Sequence, residues 1–275
     1  AGAIRFAAEA AEIDDTFLAF NGDVLTDLDI TALVDFHRQR GAEGTIALTR
    51  VADPSAYGLV PTEPDGRVEA FVEKPLPEES TTGAINAGTY VLEPSVLDPI
   101  LKGEPTSIER EVFPRMAEEG RLYAMVSDAY WIDTGRPAEY LQAQLDLLDG
   151  RRPPPPAPGA HQRSAGVWTL GEPVIDGQVT GPALIGTAAY IQSGAKVDHS
   201  VVGSGARISD GAEVRGSILL PGASIHAGAI VDQSIVGEGA VIGRGARLSG
   251  LTVIGGGYEV DPETRLYGVR LPIGG

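Results

Sequence analysis

The stretch SVVGSGARISDGAEVRGSILLPGASIHAGAIVDQSIVG, residues 200–237, carries a period of 17. Ser200, Ser217 and Ser234 head SVVG, SILLP and SIVG at that spacing. From the same region onward Ala206, Ala212, Ala223, Ala229, Ala240 and Ala246 recur 6, 11, 6, 11 and 6 residues apart. Ile208, Val214 and Ile225 stand two residues behind the first three alanines. A repeat of 17 therefore divides into two sixes and a five, a hexapeptide repeat with one shortened face. Repeats of this kind stack as the coils of a parallel β-helix, each coil burying its apolar side against the next. About four coils fit between residues 180 and 260, ending at GLTVIGGGYEV, and no helical period competes.

Upstream, GRRPPPPAPGA (150–160) divides the chain, because four consecutive prolines suit neither a helix nor a central strand and favour a stiff extended spacer. The expected organisation is a domain over 1–150, a Pro-rich linker over 151–166 and the β-helix over 167–275. In the first domain, strand and helix patterns alternate. TFLAF, GTIALTRV and INAGTYVL read as strands. DITALVDFHRQRG reads as a helix with Asp29 at its N-cap and Gly41 as its stop. YGLVPTEPDGRVEAFVEK reads as a hairpin turning at Pro64-Asp65-Gly66. TSIEREVFPRMAEEG reads as a helix, with Thr106 and Glu109 at capping-box spacing. Such alternation predicts an α/β domain with a largely parallel sheet.

Composition narrows the function classes. Across 275 residues, 43% hydrophobic and 21% charged content is that of a globular protein. No apolar run is long enough for a membrane span. With no cysteine, disulfides, thiolate nucleophiles and zinc-thiolate sites are excluded together, and the expected address is cytoplasmic. The net charge of −17 resides in residues 1–150, where 28 Asp and Glu face 11 Lys and Arg. Such a surface repels nucleic acid and suits either plain solubility or the gathering of divalent cations.

Several short motifs could carry chemistry. FLAFNGDVLTD (17–27) leaves a buried strand through Asn21-Gly22-Asp23, where open α/β sheets collect ligands; the same triplet is ordinary turn chemistry. AFVEKP (70–75) offers Lys74 to a phosphate and Glu73 to a sugar hydroxyl, or is simply a solvated strand edge. In INAGTYVL, the small residues after Asn86 let a ligand approach the backbone, or mark a bulge or a tight contact. YGLV (57–60) adds a Tyr-Gly pair. AYWIDTGRP (129–137) sets Asp133 before a helix whose Pro137 suits the first helical position. That leaves Asp133 two or three residues outside the cap, which makes a capping role awkward and favours a metal ligand.

The order NGD, YG, EKP, NAG, WxDxG and then a hexapeptide helix resembles the sugar-1-phosphate nucleotidyltransferases. SIEREVFPRMAEEGRLYAMVSDAYWIDTGRPAEYL looks most like their mannose-1-phosphate guanylyltransferase branch. The resemblance implies a Rossmann-like domain followed by a left-handed parallel β-helix that mediates assembly, here of a homo-oligomer, or regulation. It implies that Asp23 and Asp133 share a Mg2+ ion, and that Glu73 and Lys74 contact the sugar and its phosphate. Asn86 and Gly88 would line the sugar pocket, with Gly58 beside the sugar. The implied substrates are a nucleoside triphosphate, best matched by GTP, and mannose-1-phosphate. The family's glycine-rich nucleotide loop, GGxGTRLxPLT, does not occur in this sequence. AGAIRFAAE resembles the helix after the family's second nucleotide-contacting loop. The first strands of the nucleotide-binding half are thus expected outside this sequence, leaving an unpaired sheet edge and the chain's own turnover open.

In the expected reaction a sugar-1-phosphate oxygen attacks the α-phosphorus and pyrophosphate leaves. Catalysis of this kind needs positioning and charge neutralisation, with Asp23, Lys74 and Asp133 as the catalytic set. Two alternatives stand beside it: a hexapeptide-repeat acyltransferase using His199 or His226, and a non-catalytic sugar-phosphate-binding or oligomerising protein.

Overall fold

The computed structural model describes residues 1–51, 59–71, 83–153 and 155–272. They form two compact units, 1–132 and 133–275.

The first unit opens with helix α1 (Gly2–Ala10), followed by β1 (Phe17–Phe20) and β2 (Val24–Thr26). Helix α2 (Ile30–Arg40) is bounded as its sequence demands. The Asp29 side chain accepts the Ala32 N–H, and Gly41 ends the helix at φ 58°, a left-handed conformation that glycine adopts without strain. Strands β3 (Gly44–Arg50), β4 (Ala84–Leu92) and β5 (Leu122–Ser127) complete a sheet of order β1-β4-β3-β5. β4 runs against both β1 and β3, and only β3 and β5 pair in parallel. The largely parallel sheet expected from the alternation is therefore mixed. The physical reason is the connection: a parallel partner needs a long, usually helical, crossover, and the β3–β4 segment reads as turn and hairpin instead. Where that segment is described, Thr62 pairs with Val68 around the Pro64-Asp65-Gly66 turn.

Apolar faces of the sheet are covered on one side by Phe113, Met116, Val96 and Ile100, and on the other by Leu33. Behind β4, the π-helical turn Ile108–Val112 leads into α3 (Phe113–Glu118). Its cap is Ser107, not Thr106: the Ser107 hydroxyl accepts the Arg110 N–H, and Glu111 accepts the Ser107 N–H. The wider first turn moves the reciprocal acid from the third to the fourth position, which frees Glu109 for another partner. β6 (Trp131–Asp133) pairs with β2 in a two-stranded ribbon.

The second unit is a parallel β-solenoid of about six turns, longer than the four coils counted between 180 and 260. Its strands stack into three sheets, with seven parallel strands between Val167 and Leu271 on one face and six on each of the others. Ala206, Ala212, Ala223, Ala229, Ala240 and Ala246 are all fully buried, as are Ile208, Ile225, Ile242, Val214 and Val231. Each buried Ile or Val contributes about 1.5–3 kcal/mol by leaving water. The recurring serines are the third inward corner. Ser217 donates to the Arg215 carbonyl and accepts the Ser234 N–H, while Ser200 accepts the Ser217 N–H. A column of buried hydroxyls thus joins coil to coil.

Helix α4 (Pro137–Leu148) belongs to this unit. Leu141, Leu145 and Leu148 pack on an outward-facing apolar row that includes Leu184, Val201, Ile218 and Ile235. Within the segment expected as linker, His161–Ser164 forms a strand antiparallel to Val167–Thr169 and closes one end of that sheet.

Candidate functional site

The bend at residues 86–88 of β4 organises the motifs of the first unit. Ile46 pairs with Tyr90 and Leu48 with Asn86, so Ala87, Gly88 and Thr89 stand opposite Ala47 alone. Such a bulge re-aims the strand, and Gly88 takes φ 70° within it. Asn21, leaving β1, donates its N–H to the Gly88 carbonyl at 2.8 Å. A Cβ on residue 88 would lie 2.6 Å from the Asn21 Nδ2. The glycine is thus required by its own backbone and by Asn21, which unites the NGD and NAG motifs. Both plainer readings of the NAG segment, a bulge and a tight contact, are present.

Trp131 arrives at the same bend, where its Nε1–H donates to the Ala87 carbonyl at 2.9 Å. Its ring packs near Ala47, Ala87 and Val91. Two stretches far apart in sequence, around Asn21 and Trp131, therefore converge on residues 86–88.

The Asn86 amide is almost fully committed. Its Oδ1 accepts the Gly88 N–H at 2.9 Å, and its Nδ2 donates to the Tyr90 hydroxyl at 2.9 Å and to Glu109 Oε1 at 2.6 Å. Two donors and one of two acceptor lone pairs are used, so Asn86 can meet a ligand only as an acceptor. Tyr90 is buried edge-on against Phe113, with ring centroids 5.1 Å apart. Burial pushes its phenol well above the ordinary value, and the Glu109 charge adds to that, so Tyr90 stays a neutral donor or acceptor here. Glu109 is the residue that sequence reasoning assigned elsewhere. Its capping-box spacing concealed it, and only the π turn reveals that it faces Asn86.

Asp23 is exposed in the turn between β1 and β2. Asp133 ends β6, and its Oδ1 accepts the Gly135 N–H at 2.8 Å. α4 has Arg136 at its N-cap position with no side-chain cap, so Asp133 shapes the turn before the helix without capping it. Its Oδ2 has no hydrogen bond among the described residues. Gly58, Glu73 and Lys74 lie outside the described residues. His199, one of the two histidines considered for acyl transfer, stands 3.0 Å from Asp149.

A cavity of about 730 Å³ lies at the opposite ends of these strands, lined by Glu43, Ser95, Arg121 and Met116 among others. Its size does not mark the motif site.

Residues 1–150 match the family model described as Nucleotidyl transferase. The chain belongs to the nucleotidyl transferase family. Residues 179–272 match the model described as GMPPB C-terminal domain. The chain is 40% identical over 195 residues to a mannose-1-phosphate guanylyltransferase of Mycobacterium tuberculosis, covering 70% of this chain and 53% of that protein. It is 40% identical over 178 residues to the mannose-1-phosphate guanylyltransferase catalytic subunit beta of Danio rerio, covering 64% of this chain and 48% of that protein. The corresponding Drosophila pseudoobscura protein is 45% identical over 138 residues, covering 50% and 36%. The matches span about half or less of these relatives' length. No helix among the described residues is long and apolar enough to cross a membrane.

Proposed function

We propose that the chain carries the sugar-phosphate site of a mannose-1-phosphate guanylyltransferase, which joins mannose-1-phosphate to the GMP part of GTP. The observation that carries this reading is the convergence of Asn21, Trp131 and Glu109 on the bend at Asn86–Gly88.

In the proposed step a phosphate oxygen of the sugar-1-phosphate forms a bond to the α-phosphorus, and the bond from that phosphorus to the β-phosphate bridging oxygen breaks. Pyrophosphate leaves with the electron pair. The free lone pair on Asn86 Oδ1 and the free Oε2 of Glu109 are acceptors suited to sugar hydroxyls, which donate. Lys74 would hold the sugar phosphate as a point charge and Glu73 a hydroxyl, beside Gly58. Asp23 and Asp133 would hold a Mg2+ ion, which supplies neutralisation of phosphate charge. Two carboxylates suit that ion, because Mg2+ binds through one or two carboxylates together with substrate phosphates. The solenoid would serve assembly of a homo-oligomer.

Pyrophosphate release from GTP, mannose-1-phosphate and Mg2+ tests this reading. Release that depends on mannose-1-phosphate and is lost in Asp133→Asn supports it. Release that is indifferent to the sugar phosphate, or mannose-1-phosphate failing both to react and to bind, refutes it.

A further inference from the structure

One lateral face of the solenoid carries a groove of about 190 Å³, lined by Tyr190, Gln192, Arg207, Ser209, Ser224 and His226 over Ile208. It lies wholly within the second unit and is independent of the sugar-phosphate reading. Three neighbouring parallel strands build it. Tyr190 is in register with Arg207, and Arg207 with Ser224. Parallel strands lie about 4.8 Å apart and residues two apart share a face, about 6.6 Å along the strand. The column Tyr190, Arg207, Ser224 therefore stands beside the column Gln192, Ser209, His226 as a two-by-three grid. Between the columns Ile191, Ile208 and Ile225 point inward and are fully buried.

The backbone N–H groups of all six grid residues are spent on the next coil, for example Arg207 on the Ala223 carbonyl and His226 on the Ile242 carbonyl. Any ligand meets side chains alone. Those side chains are uncommitted. Among the described residues the Tyr190 hydroxyl, the Arg207 guanidinium, the Ser209 and Ser224 hydroxyls and the His226 ring form no hydrogen bond or ion pair. Only Gln192 is engaged, its Oε1 accepting the Asp210 N–H at 3.0 Å. Residues 167–275 hold ten Asp and Glu and seven Lys and Arg, so a carboxylate would be the ordinary partner for an arginine there, yet none lines this groove. Asp176 follows the strand one coil before the grid, Glu259 lies two coils beyond Ser224 and Asp210 follows Ser209 in sequence, and none of the three lines the groove.

We propose that this grid is a binding site for a small phosphate-bearing anion. The guanidinium presents paired N–H donors that match two phosphate oxygens, and the hydroxyls and imidazole add neutral donors around them. A divalent cation is a poor occupant, because it would face a guanidinium and no carboxylate. The volume of about 190 Å³ admits a phosphate group with a few attached carbons beside Tyr190.

The test is a titration of the whole chain, followed by backbone amide NMR, with inorganic phosphate and separately with glycerol 3-phosphate. The expected result is saturable shifts confined to residues 190–192, 207–209 and 224–226, with Arg207→Gln weakening binding roughly tenfold or more. His226→Gln is expected to weaken it severalfold, and Arg247→Gln, exposed on another face, to leave it unchanged. Tighter binding of glycerol 3-phosphate than of phosphate would identify a phosphomonoester as the class; equal binding would identify the free anion. Shifts that do not saturate through tens of millimolar, or that persist unchanged in Arg207→Gln, overturn the proposal.

Discussion

Replacing Gly88 with alanine tests the bend that unites the motifs, and its cost can be worked from two separate causes. Residue 88 has φ 70°, where a Cβ costs roughly 1–2 kcal/mol relative to glycine. The new methyl would also stand 2.6 Å from Asn21 Nδ2, 2.8 Å from its Cγ and 3.0 Å from its Cβ. Overpacking of that kind costs typically about 1–3 kcal/mol. Gly88→Ala is therefore expected to destabilise the first unit by roughly 2–5 kcal/mol, a large share of a typical domain's 5–15 kcal/mol. Asn21→Ala removes the two closest contacts and leaves the third. The double variant should then recover roughly 1–3 kcal/mol of the loss, because the two positions are coupled through one clash. Urea unfolding read by Trp131 fluorescence, in a Trp168→Phe background that silences the solenoid's tryptophan, measures this locally. A Gly88→Ala variant within about 0.5 kcal/mol of wild type, or a double variant no better than the single, would refute the reasoning.

Ser217→Ala should cost about 1–3 kcal/mol in urea unfolding of the solenoid, because the buried Ser234 N–H loses its acceptor. A cost near zero would mean that coil stacking does not depend on the hydroxyl column. Glu93 accepts hydrogen bonds from Thr16 and His37, and these, Thr16 first, hold its carboxyl below the ordinary 4.5. A depressed carboxylate stabilises the fold fully above its unfolded pKa and loses that contribution as pH falls through the folded one. Stability measured against pH should thus decline in that acid range, and Glu93→Gln should flatten the decline; an unchanged acid limb contradicts this. Asp133→Asn keeps an oxygen for the Gly135 N–H and removes the charge. It should melt within a few degrees of wild type while the proposed guanylyl transfer falls roughly a hundredfold or more, and a variant that unfolds instead would make Asp133 a structural residue.

The solenoid was legible because its period is enforced at every coil by positions that admit only small or apolar side chains. Its extent was less legible, since the repeat loosens at both ends and changes length late. Ser234 is followed by Thr252 after 18 residues, with Gly250 and Leu251 supplying the longer corner. Leu251 adopts φ 61° there and packs toward α4. The outward row Val201, Ile218, Ile235 was visible as letters, but only the structure shows that α4 covers it. In the first unit the motifs marked the bend, whereas the bond from Asn86 to Glu109 was hidden. A spacing rule assumes α-helical turns, and the π turn at Ile108–Val112 breaks that assumption by one residue. The direction of β4 escaped for a related reason: strand-and-helix alternation reports element types, and only the connection between β3 and β4 reports polarity.

The most direct measurement follows the Trp131 indole N–H and the Gly88 amide by NMR while mannose-1-phosphate is titrated into the chain with Mg2+. The expected result is a saturable shift of both signals with the Trp168 indole unmoved, weakened roughly tenfold by Glu109→Gln through loss of a charged acceptor. A Trp131 signal that never moves, or a binding curve identical in Glu109→Gln, would contradict the assignment of the bend at Asn86–Gly88 as the sugar-phosphate site.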